Sequence, residues 1–221
     1  MTYAELLTIL QKHADEKLAI FHGGLIKTSS KMLLGVKTPI LRALAKAVQV
    51  DEILSFPDDL YEVKFIKLVA VSLLPYNRFI QCIDKVLPLI DNWALCDGFK
   101  AACLKNHREE FLPKIEDYHA SGKEFFVRYA LVTLLSYYVE KKYLSMIFSL
   151  LSRTNCTDYY VHMAAAWLAA EVLVKFFDEG VQFLKEMHLP KRTHNKAIQK
   201  AIESYRLSKE RKEYLKTLKI K

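Results

Sequence analysis

Apolar residues recur along this chain with a helical period, and few segments alternate as strands do. Over residues 2–13, Leu6, Leu7 and Leu10, with Tyr3 near the start, fall at the i, i+3, i+4, i+7 spacing of one helix face. Asp15 is placed to cap a second helix that reaches about His22. The stretch from His22 to Ser30 then breaks the pattern. Adjacent Gly23 and Gly24 and the run Thr28-Ser29-Ser30 predict a loop, at best a short turn, over residues 23–32. Thr38-Pro39 reads as the next helix start, a capping hydroxyl followed by a proline whose missing N–H costs nothing in the first turn. Leu41, Leu44, Ala45 and Val48 form that helix's inner stripe.

From there the pattern predicts helices in pairs. Outer members are expected over residues 77–90, 108–119, 141–152 and 178–187. Inner, more apolar members are expected over 60–74, 92–105, 124–140, 158–177 and 193–205, with a last helix over 208–218. Short connections favour antiparallel neighbours. The predicted fold is all-α: an α-solenoid of HEAT-like helix pairs, one repeat domain over 1–221, whose inner helices line a concave basic groove.

An internal period supports the pairing. Lys64, Asp97, Arg128, His162 and Lys196 recur every 31 to 34 residues. The clearest copies, Glu124-Phe125-Phe126-Val127-Arg128-Tyr129-Ala130 and Asp158-Tyr159-Tyr160-Val161-His162-Met163-Ala164, are offset by 34. One register therefore reads Lys, Asp, Arg, His, Lys, a basic line with one acid in it.

Charge sharpens this picture. The 221 residues carry a formal net charge of +8, and 52% of them are hydrophobic, enough for a sizeable core. Residues 191–221 hold eleven Lys or Arg against three Glu, so residues 1–190 sum to zero. A basic terminal segment suits a polyanion, chiefly nucleic acid; a solvated helix face is the plain alternative. Cys82, Cys96, Cys103 and Cys156 lack metal-binding spacing and read as buried, reduced structural thiols. The longest mostly apolar run, 129–139, falls short of the roughly 20 residues that span a bilayer. The N-terminal residues lack the pattern of a secretory signal, so a cytoplasmic protein is expected, with no metal and no cofactor.

Within the register, Trp93 and Asp97 lie one turn apart on one predicted helix. Arg128 falls one repeat later, and Trp167 five residues past His162. Each has a structural reading: either tryptophan as core, Asp97 in an ion pair with Arg128, His162 as a packing residue. Read together, they can line one groove.

These residues resemble a known family. Leu34-Gly35-Val36-Lys37-Thr38-Pro39, Asp91-Asn92-Trp93-Ala94-Leu95-Cys96-Asp97, Phe126-Val127-Arg128-Tyr129-Ala130, Ala164-Ala165-Ala166-Trp167 and the basic segment 193–206 are similar, in order, to AlkD-type HEAT-repeat DNA glycosylases, the DNA alkylation repair enzymes. The resemblance implies excision of cationic alkylpurines such as 3-methyladenine and 7-methylguanine from duplex DNA, without base flipping. It makes Asp97 the catalytic carboxylate, Trp93 and Trp167 the aromatic pair beside the lesion's deoxyribose, and Arg128 the arginine that holds site and backbone. Lys64, His162, Lys191, Arg192, Lys196 and Lys200 are the expected DNA contacts of a monomer. Two departures stand out. The family's minor-groove helix falls on the predicted loop 23–32, and Asn92 stands where a second aromatic can occur. The resemblance thus leaves two further readings: a DNA-binding paralogue with little excision, and a HEAT-type protein scaffold.

Overall fold

The computed structural model describes residues 1–26 and 32–221, which divide into two compact units, Met1–His107 and Arg108–Lys221. Among the described residues there are fourteen α-helices and no strand. Within each unit, neighbouring helices pack in the manner of an α-solenoid. No described helix is long and apolar enough to cross a membrane.

The first unit holds α1 (Tyr3–Lys12), α2 (Glu16–Ile26), α3 (Thr38–Ala47), α4 (Val50–Leu54), α5 (Tyr61–Ser72), α6 (Tyr76–Val86) and α7 (Trp93–Gly98). Helix α5 is its axle: α3, α4, α6 and α7 all pack on it. Every residue of α5 except Lys64 is buried, as expected of a helix that is apolar almost all round.

Local chemistry sets the ends. Thr2 and Glu5 form a capping box at α1, and Asp15 Oδ1 accepts the Leu18 N–H at 3.0 Å, capping α2 as its position predicts. At α3, Lys37 is the N-cap and Thr38 already lies inside the helix, so the Thr38 hydroxyl does not cap. Helix α2 runs through Gly23 and Gly24 to Ile26, against the loop expected from 23 onward; residues 27–31 of that expectation lie outside the described residues. The cost of two helical glycines, about 1 kcal/mol each, is set against burial of Ala19, Gly23 and Ile26 on the unit's core. Helix α7 is far shorter than the expected 92–105. Gly98 ends it, the Phe99 N–H closes onto Leu95 and Cys96 carbonyls, and a 3₁₀ turn follows at Ala102–Lys105.

A buried carboxylate organises the Leu34-Gly35-Val36 segment. Glu62 Oε1 accepts from the amides of Leu34, Gly35 and Val36 at 3.0, 2.9 and 3.4 Å, while its Oε2 has no partner among the described residues. Gly35 has φ +75, and a Cβ there would lie 2.1 Å from the Asp15 carbonyl oxygen, so only glycine fits.

The second unit holds α8 (Arg108–Ala120), α9 (Glu124–Tyr137), α10 (Leu144–Arg153), α11 (Tyr159–Lys175), α12 (Phe177–Lys185), α13 (Lys191–Ile202) and α14 (Lys209–Thr217). Helices α9, α11 and α13 pack side by side, with α8 on α9, α12 on α11 and α14 on α13. The residues after α14 are tied down as well: Asn195 exchanges two hydrogen bonds with the Ile220 backbone, and His194 Nε2 bonds the Leu218 carbonyl. None of the four cysteines forms a disulfide; Cys82 and Cys96 are buried as expected and Cys103 and Cys156 only half-buried, and burial pushes the Cys103 and Cys156 thiols up, as befits structural rather than reactive sulfur.

Two buried His–Thr pairs recur in this unit. His119 Nε2 meets Thr154 Oγ1 at 2.9 Å, and His162 Nδ1 meets Thr193 Oγ1 at 2.9 Å. The Thr154 hydroxyl donates to the Leu150 carbonyl, so it accepts from His119, whose ring is then the Nε2–H tautomer. Burial first, then neighbouring cations (Arg153 for His119; Arg192 and Lys196 for His162), lower both histidines below their ordinary value.

Two stability tests follow from these buried groups. Glu62→Ala strands three amides and is expected to cost about 2–4 kcal/mol; Glu62→Gln keeps the Oε1 acceptor and costs less. Urea denaturation gives both numbers, and an unchanged midpoint for Glu62→Ala would mean the loop does not need its staple. For the histidines, a lowered folded pKa means that the unfolded chain takes up protons first. Stability is therefore full above the ordinary histidine value of about 6.5 and declines as pH falls through the window below it. Melting temperatures at stepped pH should show this decline, and His162→Asn should flatten it.

Candidate functional site

The register residues are set on successive inner helices: Lys64 on α5, Asp97 on α7, Arg128 on α9, His162 on α11, Lys196 on α13. Three of them do a common job. Lys64 Nζ lies 2.5 Å from Asp91, two residues before α7. Arg128 Nη1 donates to the Tyr160 carbonyl at 2.8 Å, in the first turn of α11, while Glu124 one turn earlier accepts the Tyr160 N–H at 3.3 Å. His162 reaches Thr193 in the first turn of α13. Each side chain therefore ties its helix to the start of the next inner helix of its unit. Arg128 and His162 are only 4% and 3% exposed, and both side chains are engaged in these ties.

In the first unit these ties end at α7. Asp91 receives Lys64 and also the Asn92 amide at 2.8 Å. Asn92, fully buried, turns its side-chain oxygen to the Leu95 N–H at 3.0 Å and caps α7. The residue that stands in place of an aromatic thus fixes where α7 starts. Trp93 is the first residue of α7 and is 36% exposed; its indole N–H donates to the Leu25 carbonyl at 3.2 Å. That carbonyl lies near the end of the described part of α2. Asp97, one turn along α7, is half-buried. Helix α2 leaves Ile20, Phe21 and Leu25 61%, 64% and 49% exposed.

In the second unit the exposed surface of α11 and α13 carries two clefts. One, of 380 Å³, is lined by Tyr159, His162, Met163, Arg192, Asn195, Lys196 and Gln199. The Arg192 guanidinium lies over the Tyr159 ring at 5.8 Å. The other, of 210 Å³, holds Trp167, Glu171, Lys200, Glu203 and Arg206 among its walls. Trp167 is 43% exposed. Glu171, one turn from it, receives Arg206 through two bonds of 2.8 and 2.6 Å. Lys191 Nζ is bonded to the Lys221 carbonyl, which turns it toward the chain's last residues.

The sequence-predicted residues thus separate by unit: Trp93, Asp97 and Lys64 in the first; Arg128, Trp167, His162, Lys191, Arg192, Lys196 and Lys200 in the second. Neither tryptophan is core. Sequence reasoning missed Tyr159, Glu171 and Arg206, and the Leu25 carbonyl that anchors Trp93. Glu171 alone had a readable signal, since it follows Trp167 at the same four-residue spacing as Asp97 follows Trp93.

An indole beside a carboxylate in one unit, and cations with aromatics over a paired-helix surface in the other, are groups suited to a polyanion that develops positive charge. No curated protein matches the chain at a significant level. The family model described as DNA alkylation repair enzyme matches residues 6–205. The chain therefore belongs to the DNA alkylation repair enzyme family, and DNA repair is its role.

Proposed function

We propose that the protein is a DNA glycosylase that hydrolyses the N-glycosidic bond of cationic N3- or N7-alkylated purines in duplex DNA, without flipping the base. The observation that carries this reading is the pair on α7: an indole pinned by its N–H to α2 and partly open to solvent, one turn from the half-buried Asp97.

The chemistry asks for little more than placement. A purine alkylated at N3 or N7 is already a cation and leaves without a general acid. Positive charge then gathers on the sugar, and a fixed carboxylate stabilises it and orients the attacking water. Asp97 takes that part. The Trp93 face favours the polarised C–H edges of the deoxyribose by roughly 0.5–2 kcal/mol, and in the second unit Trp167 offers an aromatic face within its own cleft. Arg128 acts through packing: it holds α11, the helix that bears Trp167, by its first turn. Arg192, Lys196 and Lys200 on α13 hold phosphates. A helical α2 with Phe21 and Ile20 in the open suits insertion at a minor-groove step, where apolar wedges unstack bases.

A second reading is a DNA-binding relative with little excision. One observation favours it: described α2 carries a single lysine, Lys17, and no arginine, a weak charge for a groove-entering helix.

Base release from duplex DNA containing 7-methylguanine separates the two. Wild-type protein should release the base, and Asp97→Asn should lose about 10²-fold or more with an unchanged circular dichroism spectrum. Equal rates for the two proteins would remove Asp97 from the chemistry; no release by either, with DNA still bound, selects the second reading. Under both readings, reversing Arg192, Lys196 and Lys200 to glutamate should weaken DNA binding and lower the slope of log K against log salt by about one per cation lost. Arg128 is unsuited to that series, because reversing a buried, bonded guanidinium unfolds its surroundings.

A further inference from the structure

A cleft of 560 Å³ lies on the second unit between α10 and α12 and shares no residue with the clefts on α11 and α13. Its floor is aromatic. Phe148 and Phe183 stack with centroids 4.6 Å apart and planes 10° from parallel, and the His188 ring lies 5.6 Å from Phe183. Phe183 is buried and backs the half-exposed Phe148. The rim is acidic, with Asp178, Glu179 and Glu186. Glu186 is held from both sides, by the Gln182 amide at 3.0 Å and the His188 ring at 3.0 Å, and those bonds keep its carboxyl below the usual range. Lys141 approaches Glu179 only at 3.8 Å and is 82% exposed, so it screens the rim weakly.

This chemistry is opposite in sign to the basic segment over residues 191–221. On a chain of net charge +8, three carboxylates gather around a flat aromatic surface. Nucleic acid is repelled there. A metal ion would find no use for the ring floor. A planar cation satisfies both parts at once: its face lies on the ring while its N–H edge donates to the rim carboxylates, which is guanidinium chemistry rather than ammonium chemistry. Along α10 the Ser152 hydroxyl donates to the Phe148 carbonyl at 2.9 Å and keeps acceptor capacity for the N–H of a backbone laid beside the cation, and Ser149 adds a second hydroxyl.

We propose that the α10–α12 cleft is a docking site for an arginine side chain carried on an extended basic segment of a partner protein. The inference is independent of glycosylase activity. It rests on shape, ring geometry and charge complementarity in the second unit.

Fluorescence anisotropy of a labelled oligo-arginine peptide, titrated with the full chain in the absence of DNA, tests it. Saturable binding is expected, weaker for an oligo-lysine peptide of equal length. Glu179→Gln with Glu186→Gln, both surface changes that keep shape, should weaken it by about tenfold or more, and Phe148→Leu should erase the preference for arginine over lysine. DNA affinity should not fall in either variant. Lack of saturation with the wild-type chain, or equal affinity for the neutralised variant, would overturn the proposal. So would sedimentation showing that the free chain self-associates and that the Glu179/Glu186 variant abolishes this, since the occupant would then be a second copy.

Discussion

The starts of three inner helices, α7 in the first unit and α11 and α13 in the second, are where each unit is fastened. A helix start presents amides without acceptors, and the residues just around it present carbonyls, hydroxyls and carboxylates. The preceding inner helix answers with one long side chain: Lys64 to Asp91, Arg128 with Glu124 to Tyr160, His162 to Thr193. At Asp91 and the Tyr160 carbonyl what has to be met is an acceptor, so Lys64 and Arg128 meet them as donors. That explains why the register is basic at these positions without invoking a ligand. Buried Arg128 is tolerable only because its guanidinium is bonded and lies 5.8 Å over the Tyr160 ring.

This constraint decides which charges remain for DNA. Cations spent on the next helix contribute little to phosphate binding, whereas Arg192, Lys196 and Lys200 stay open or half-open on α13. It also places the proposed chemistry. Lys64 fixes Asp91, Asp91 holds Asn92, Asn92 caps α7, and α7 then sets Trp93 and Asp97 one turn apart. A shift of one residue in that cap would rotate both side chains by about 100° around a helix of 3.6 residues per turn. Placement at this level is what a carboxylate needs to stabilise charge in a transition state.

The repeat was legible in the sequence because its period is carried by hydrophobic stripes and by Lys64, Arg128 and His162 themselves. Their direction was not legible. A spacing of 31 to 34 residues puts side chains in equivalent positions, but the same spacing serves a groove lining and a tie to the next helix. The two indoles are exposed and Asp97 is half-buried, whereas Arg128 and His162 are buried and bonded to the start of the next helix. Gly23-Gly24 misled for a related reason. Propensity is a local prior, and burial of Ala19, Gly23 and Ile26 decides the conformation of α2. Glu62 was invisible because a carboxylate within an apolar helix has no sequence mark that it will gather three amides from residues 34–36.

Net charge conceals a division of labour inside the second unit. The +8 of the chain lies at its C-terminal end, and its exposed part on α13 neighbours Tyr159 and Trp167 on α11. The acids that offset it in the same unit gather in part on α12, around Phe148 and Phe183. At physiological ionic strength fields fade over about 8 Å, so each face acts on its own surroundings and the sum has little bearing on either. Because the two sets share no residue, a polyanion on α11 and α13 and a guanidinium on α10 and α12 place no demand on the same side chain. On the two proposals taken together, DNA on α11 and α13 and a basic partner on α10 and α12 are read by separate side chains, so neither ligand has to displace the other.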